Sequence, residues 1–149
     1  MSTQRNVQIV KDFFAAFGRG DRETLLAVVA EDIEWIIPGA GWALAGTYRG
    51  RGGVLTLIET ASGSLETTTE PREFVAQGNR VLVAGTATGK VKATNEPFED
   101  HWVFAITMRG GKLTRIREYV DTQELARASA SHAGLESPRD APGAEPSAS

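Results

Sequence analysis

The sequence contains no cysteine and only two histidines, His101 and His132. The lack of cysteine excludes disulfide bonds, a thiolate nucleophile and any zinc or iron–sulfur site with cysteine ligands. Neighbouring residues of a strand point to opposite faces, so Asp100 and His101 are poorly placed to share one ion. The HExxH, GxSxG and GxxxxGK[ST] motifs are absent too. We therefore expect no metal site.

Long apolar runs and clusters of positive charge are also missing. No stretch of 18 apolar residues occurs, and no apolar signal core follows the first residues. The 16 lysines and arginines are outnumbered by 19 acidic residues, which gives a formal net charge of -3. Such a chain lacks the basic surface that phosphate backbones require. These absences predict a cytoplasmic protein that binds neither nucleic acid nor membranes.

The residues that are present are distributed unevenly along the chain. Of the 23 residues from 127 to 149, 16 are alanine, serine, proline or glycine, and Leu135 is the only large aliphatic residue among them. This segment buries too little apolar surface to offset the entropy lost on ordering. We expect residues 1–126 to form one domain and residues 127–149 to form a disordered tail.

Hydrophobic periodicity predicts a helical first half and a strand-rich second half. A first helix has one apolar stripe and ends at Gly18 and Gly20, after which Asp21 is a natural N-cap for a second helix. A strand at 32–37 and a glycine-rich loop at 39–53 lead to a third helix around 54–61. The remaining predicted elements are strands at 67–76, 80–91, 98–108 and 112–120 and a helical turn at 123–129.

This order of elements predicts an α+β fold in which helices cover one face of a curved sheet. Gly78-Asn79 and Gly110-Gly111 have the chemistry of tight hairpins, so the strands that they join should be antiparallel. A sheet closed by helices on one side forms a cone, and an apolar cone is a default small-molecule pocket. The opposite face needs cover, for which a second copy of the chain is the simplest source. We therefore expect a homodimer.

Asp100 is the first candidate site residue. In the strand at 98–108 it shares a face with Phe98, Trp102, Phe104 and Ile106, and it is the only polar residue there. Burial raises the pKa of such a carboxyl, and a neutral acid can stabilise a developing oxyanion. The alternative is that Asp100 caps a turn or pairs with an arginine. His101 and Glu99 face the other way and fit a subunit interface or a supporting contact better.

The last strand supplies three further candidates. Arg117, Tyr119 and Asp121 have the same parity and could present a cation, a phenol and a carboxylate side by side. An arginine beside Asp121 would keep that carboxylate ionised, as a general base requires. The alternative is an ordinary ion pair, with Asp121 as the N-cap of the turn that follows. The apolar and aromatic residues expected to line the pocket are Phe13, Phe17, Trp35, Ile37, Trp42, Tyr48, Trp102 and Phe104.

Several segments together resemble the nuclear-transport-factor-2-like superfamily. They are residues 13–21, 30–35, 111–113 and 117–121, and the resemblance spans about residues 5–128. Within the superfamily the chain is most similar to the SnoaL-like group, whose relatives include polyketide cyclases, ketosteroid isomerase and limonene epoxide hydrolase. The resemblance implies a cystatin-like αβ roll, with a cone-shaped antiparallel or mixed sheet and three N-terminal helices packed on its concave face.

The same resemblance assigns roles to single positions. Asp100 takes the place of the protonated oxyanion-hole aspartic acid of ketosteroid isomerase, whereas the general base of that enzyme falls on Ile37 and its tyrosine on Phe13. Asp121 takes the place of a catalytic aspartate of limonene epoxide hydrolase and agrees with the acid/base aspartate of SnoaL-type cyclases. The Arg-x-Asp part of the hydrolase site falls near residues 85–87, where neither residue type occurs.

These observations lead to one main hypothesis and two alternatives. The main hypothesis is an isomerase, cyclase or dehydratase that needs no cofactor and acts on a hydrophobic carbonyl compound. Asp121, oriented by Arg117 or Tyr119, would move the proton, and neutral Asp100 would stabilise the enolate. The first alternative is a binding or dimerisation module without catalysis, because positions 13 and 37 are apolar. The second is an epoxide hydrolase.

Overall fold

A computed structural model describes residues 2–39 and 42–130 of the chain. The helices are α1 (Thr3–Gly18), α2 (Arg22–Val28), α3 (Gly50–Ser64) and α4 (Thr122–Ser129). The strands are β1 (Val29–Ile37), β2 (Gly46–Arg49), β3 (Leu65–Gln77), β4 (Arg80–Val91), β5 (Glu96–Arg109) and β6 (Lys112–Tyr119). None of the helices in this part of the chain is both long and apolar enough to cross a membrane.

Local sequence explains where the first two helices begin and end. The Ser2 hydroxyl accepts a hydrogen bond from the backbone N–H of Arg5, which caps α1. Gly20 adopts a φ of 71° directly after this helix, a conformation that glycine reaches without steric cost. Asp21 then caps α2 by accepting from the backbone N–H of Thr24. The predicted helix end and the predicted N-cap are both confirmed.

The six strands form one curved mixed sheet in the order β2-β1-β6-β5-β4-β3. β1 and β6 are parallel, and the other neighbouring pairs are antiparallel. The two predicted hairpins are confirmed, with Gly78, Gly110 and Gly111 at positive φ in their turns. The α+β class with helices on a curved sheet is therefore confirmed.

Two elements differ from the sequence prediction. β2 lies inside the segment predicted as a glycine-rich loop, because residues 46–49 pair with β1 and extend that edge of the sheet. The predicted terminal turn is a complete helix, α4, whose Leu125 and Ala128 are buried. The predicted boundary at residue 126 therefore falls within this helix. Residues 131–149 of the predicted tail lie outside the described residues.

The core contains an aromatic cluster between α1 and the inner face of the sheet. Phe14 packs on Trp102 and Phe104 with ring centroids 5.4 and 5.1 Å away, and Phe13 lies 5.8 Å from Trp35. Gly85 on β4 makes room for this packing, since a Cβ atom there would overlap the indole of Trp102. The cluster fills the cone at one end and leaves space at the other.

Candidate functional site

The open end of the cone holds a small cavity of about 100 Å³. Helices α1, α3 and α4 and the inner face of the sheet enclose it. Its walls are apolar and aromatic apart from two threonines and two carboxyl groups. The lining residues are Phe17, Trp35, Ile37, Trp42, Leu44, Leu57, Ile58, Ala61, Leu65, Thr67, Thr69, Ala87, Phe98, Asp100, Glu118, Val120 and Leu125.

Five of the residues predicted for the site line this cavity. They are Phe17, Trp35, Ile37, Trp42 and Asp100. Their side chains come from the end of α1, the end of β1, the segment after β1 and the middle of β5. They share the cavity because the curved sheet brings the inner faces of β1 and β5 beneath the same helices.

Four predicted pocket residues pack elsewhere. Phe13, Trp102 and Phe104 belong to the aromatic cluster, where neighbouring rings occupy the space that a ligand would need. The Tyr48 hydroxyl donates a hydrogen bond to the Leu44 carbonyl at 2.8 Å. The expectation that these four side chains line the pocket is corrected accordingly, since core packing accounts for each of them.

Asp100 lies on the inner face of β5, as strand alternation predicts, and is 4% exposed. Its Oδ1 atom accepts a hydrogen bond from the backbone N–H of Asp121 at 2.7 Å. Burial raises the pKa of Asp100, and this N–H partly offsets the rise because it stabilises the ionised form. The charge of Asp121 raises the pKa further.

Glu118 is the second carboxyl in the cavity, and the sequence analysis did not identify it. It lies on β6 opposite Phe104 of β5, and its Oε1 atom accepts a hydrogen bond from the indole N–H of Trp35 at 2.9 Å. Burial raises the pKa of Glu118 to about 7. The indole N–H lowers this pKa, and the nearby charge of Asp100 raises it. This carboxyl therefore changes its charge near neutral pH.

Arg117 and Tyr119 lie on the outer face of the sheet, which corrects the prediction that they face the pocket. They are opposite Ala105 and Val103 of β5, and the Arg117 Nε atom donates to the Tyr119 hydroxyl at 2.8 Å. The two side chains are therefore neighbours, as their shared parity predicts. They lie, however, on the outer face of the sheet and not on the predicted inner face.

A register shift in the β5–β6 hairpin explains why the face was misjudged. Between Thr107 and Met108 the pairing slips by one residue, so Leu113 and Ile116 are both buried although their parity differs. From Ile116 onward, the inward residues are Ile116, Glu118 and Val120. One acid between two apolar residues of equal parity is the pattern that singles out Asp100, and it was available in the sequence for Glu118 as well.

Asp121 follows β6 and has a structural role through both its side chain and its backbone. Its carboxylate accepts from the Glu124 backbone N–H at 3.0 Å and caps α4, as the alternative interpretation held. The side chain is exposed and does not line the cavity. The prediction that Asp121 acts inside the pocket is therefore corrected: the cavity carboxyls are Asp100 and Glu118.

The charges around the cavity determine the chemistry that it can support. No lysine, arginine or histidine occurs among the described residues that line it, so neither carboxyl has a cation partner there. Within residues 2–39 and 42–130, no three histidine or acidic side chains are grouped so that they could hold a metal ion. Two carboxyls that interact in an apolar site ionise in separate steps, which provides one acid and one base.

A wider groove of about 390 Å³ adjoins the cavity. The end of α1, the start of α2, the end of α3 and the start of β3 form it. Six residues line both spaces: Phe17, Ile58, Ala61, Leu65, Thr67 and Thr69. The groove and the cavity that holds the two carboxyls are therefore neighbours with a shared wall.

Comparison with known proteins places the chain in a family. Residues 10–116 match the SnoaL-like domain. An uncharacterized protein of Mycobacterium tuberculosis is 29% identical over 120 residues, which cover 80% of this chain and 91% of that protein. The crystal structure of an NTF2-like protein from Burkholderia xenovorans is 66% identical with a TM-score of 0.81, covering 87% of this chain and 99% of that one.

A further similar structure contains a bound small molecule. TerC, co-crystallized with polyporic acid, is 29% identical with a TM-score of 0.76, covering 83% of this chain and 97% of TerC. More distant structures share the fold alone at 19–21% identity, among them a ketosteroid isomerase-like fold, a putative polyketide cyclase and an LEH-like epoxide hydrolase. The resemblance inferred from the sequence is confirmed: the chain belongs to the SnoaL-like domain family and has the NTF2-like fold.

Proposed function

We propose that the cavity binds a hydrophobic carbonyl compound and moves a proton on it, without a cofactor, as an isomerase, cyclase or dehydratase does. The observation that carries this proposal is the pair of Asp100 and Glu118. Both carboxyls face one aromatic-walled cavity and neither has a cation partner in its lining. Such a pair can supply a proton acceptor and a proton donor to one bound molecule.

The hydrogen bonds of the two carboxyls indicate their roles. The N–H of Asp121 stabilises the ionised form of Asp100, whereas the pKa of Glu118 is about 7. The negative charge of Asp100 raises the pKa of Glu118, so we assign the proton that the pair shares to Glu118. This assignment makes Asp100 the base and Glu118 the acid. The oxyanion-stabilising role that the sequence predicts for Asp100 is therefore assigned to Glu118.

The proposed reaction step balances within these two groups. The free Oδ2 atom of Asp100 removes a proton from the carbon next to the carbonyl, and the C–H electrons form the carbon–carbon double bond of an enolate. The protonated oxygen of Glu118 donates a hydrogen bond to the enolate oxygen where negative charge develops. Return of the proton from Asp100 to a different carbon completes an isomerisation.

Deuterium exchange tests the proposal without knowledge of the natural substrate. Cyclohexanone, a single-ring ketone, is incubated with the protein in D₂O, and the loss of its α-proton signal is followed by NMR. We expect Glu118→Gln and Asp100→Asn each to reduce the protein-dependent rate by about 100-fold or more. Glu73→Gln, at an exposed position of β3, is the matched control and should leave the rate unchanged.

The pH profile and the outcome of this experiment separate an enzyme from a binder. The rate should fall as the pH rises through about 7, because Glu118 then loses the proton that it donates. It should also fall in acid, where Asp100 becomes protonated and cannot accept a proton. Binding of the ketone without protein-dependent exchange would contradict the proposal and favour a binding module.

We also propose that two copies of the chain pair through the outer face of the sheet. Four large apolar residues on this face, Val75, Leu82, Val103 and Tyr119, are between 39% and 63% exposed. Strand register places Val75 opposite Leu82 and Val103 opposite Tyr119, so the four residues form two cross-strand pairs on four adjacent strands. Apolar surface of this kind favours contact with a protein partner.

Sedimentation equilibrium tests this pairing. Val103→Glu places a charge in the middle of the apolar face and should shift the protein from dimer to monomer. Ala15→Glu, on the exposed side of α1, is the control and should leave the mass unchanged. A wild-type protein that is monomeric at about 100 μM would contradict the proposal, because its free energy of dimerisation would then be weaker than about 5.5 kcal/mol.

A further inference from the structure

The size of the cavity limits what it can hold. Its volume is about 100 Å³, whereas an apolar protein cavity of about 150 Å³ accommodates one benzene molecule. Pockets for typical small-molecule ligands have volumes of about 300–1,000 Å³. The cavity can therefore hold at most one ring or a short chain beside the two carboxyls, and a larger ligand must extend into the adjoining groove.

The groove differs from the cavity in its chemistry. Its lining includes four residues that carry a hydroxyl group: Ser62, Thr67, Thr68 and Thr69. The hydroxyls of Ser62, Thr68 and Thr69 make no hydrogen bond to any described residue, so they are available to a ligand. A ligand would leave the apolar cavity and enter a zone of hydrogen-bonding groups.

Arg22 is the only basic residue among the described residues that line the groove. It lies at the start of α2, and its guanidinium is 3.3 Å from the carboxylate of Glu59 on α3. Both side chains are about half exposed or more, and an exposed ion pair contributes little stability. A ligand anion can therefore replace Glu59 at small cost.

The acidic residue in the groove lining does not compete strongly for Arg22. Asp21 is that residue, and its carboxylate already accepts from the backbone N–H and the hydroxyl of Thr24 and from Arg19. Its capacity to accept hydrogen bonds is thus used within the protein. The groups of the groove that a ligand can engage are the three hydroxyls without a hydrogen bond and, at its rim, the guanidinium of Arg22, whose pair with Glu59 is exposed.

We infer that the groove is the second half of the ligand site and binds the anionic end of an elongated ligand through Arg22. The ring or carbonyl end of this ligand lies in the cavity, so the inference rests on the proposed function for that end. The apolar residues shared by both spaces, Phe17, Ile58, Ala61 and Leu65, contact the middle of the ligand. The substrate class is therefore an elongated hydrophobic carbonyl compound with a carboxylate or similar anion at its far end.

A homologous series of phenols tests the inference. A phenol is a stable analogue of an enol, and 4-hydroxyphenyl alkanoates with two to six carbons in the acid chain vary the distance between the two ends. The matched primary amides remove the negative charge while keeping the length. Isothermal titration calorimetry at pH 6.5 measures both sets with the wild-type full-length protein.

We expect one chain length at which the carboxylate binds about fivefold more tightly than its amide, the upper range for an exposed ion pair. Arg22→Gln should remove this preference, and Arg22→Lys should restore part of it. Arg19→Gln is the control, because Arg19 is also exposed near the groove but pairs with Asp21. It should leave the preference intact.

The possible outcomes separate this inference from the proposed function. Equal binding of acids and amides at every length, or a preference that persists in Arg22→Gln, would overturn the inference while leaving the cavity proposal standing. Binding of the amides that is lost in both Asp100→Asn and Glu118→Gln supports the cavity. If neither acids nor amides bind and cyclohexanone does not exchange, both proposals fail.

Discussion

Replacement of Glu118 by glutamine tests the electrostatics of the cavity through protein stability alone. Burial raises the pKa of Glu118 from 4.5 to about 7 in the folded protein. That rise corresponds to about 3 kcal/mol of unfolding free energy. Between pH 4.5 and 7 the folded state binds more protons than the unfolded state, so stability falls as the pH rises. Above about pH 7 the protein has lost the full ~3 kcal/mol of stability, and below pH 4.5 it has lost none of it.

Glutamine imitates the neutral form of Glu118 at every pH and can still accept the indole N–H of Trp35. Urea unfolding, followed by tryptophan fluorescence from pH 4.5 to 8.5, therefore should show wild type and Glu118→Gln converging in acid. At pH 8.5 the variant should be about 2–3 kcal/mol more stable than wild type. Glu73→Gln is the exposed control and should follow wild type. Parallel curves for wild type and Glu118→Gln would refute the assignment of Glu118 as a buried, readily neutralised acid.

Four further predictions concern packing and hydrogen bonds. Gly85→Ala should destabilise the protein by about 1–3 kcal/mol in urea unfolding, because its Cβ would overlap the indole packed against it. Gly63→Ala, where a Cβ meets open space in α3, should instead stabilise by about 0.5–1 kcal/mol. Trp35→Phe removes the N–H that lowers the pKa of Glu118, so an NMR titration of the glutamate side-chain carbon should give a pKa above about 7. Asp121→Ala should lower the free energy of unfolding by about 1 kcal/mol, because the α4 cap is lost. The variant should retain ketone exchange, since the backbone N–H of residue 121 still donates to Asp100. Loss of exchange at unchanged stability would contradict this placement of Asp121.

Asp100 and Glu118 illustrate how far strand patterns predict a site. Asp100 could be identified because β5 has an uninterrupted alternation of buried and exposed residues over its whole inner face. Glu118 follows a register shift, so parity counted from Leu113 assigns it to the wrong face. Counting from Ile116 gives the correct one, but the sequence does not state which of the two apolar residues continues the pattern.

The pocket walls show a similar division between what is local and what is not. Strand and helix periodicity identified Phe104, Trp102 and Phe13 as inward-facing, and all three are buried. Whether an inward ring lines a cavity or fills the core depends on how far the sheet curves away from α1 at that point. Ring-to-ring contacts at one end of the cone decide this, and they join residues that are distant in the sequence.

The sequence by itself determined the α+β class, the hairpins, the caps of α2 and α4 and the buried position of Asp100. Each of these depends on short-range patterns: glycine in turns, capping side chains and alternation along a strand. Only the tertiary structure decided which second carboxyl lies in the cavity with Asp100. Glu118 comes from another strand, and its side chain faces the cavity because of the register shift in the β5–β6 hairpin and the curvature of the sheet. The lack of cysteine and of usable histidine restricts the proposed chemistry to carboxyls. The fold determines which two carboxyls face the same cavity.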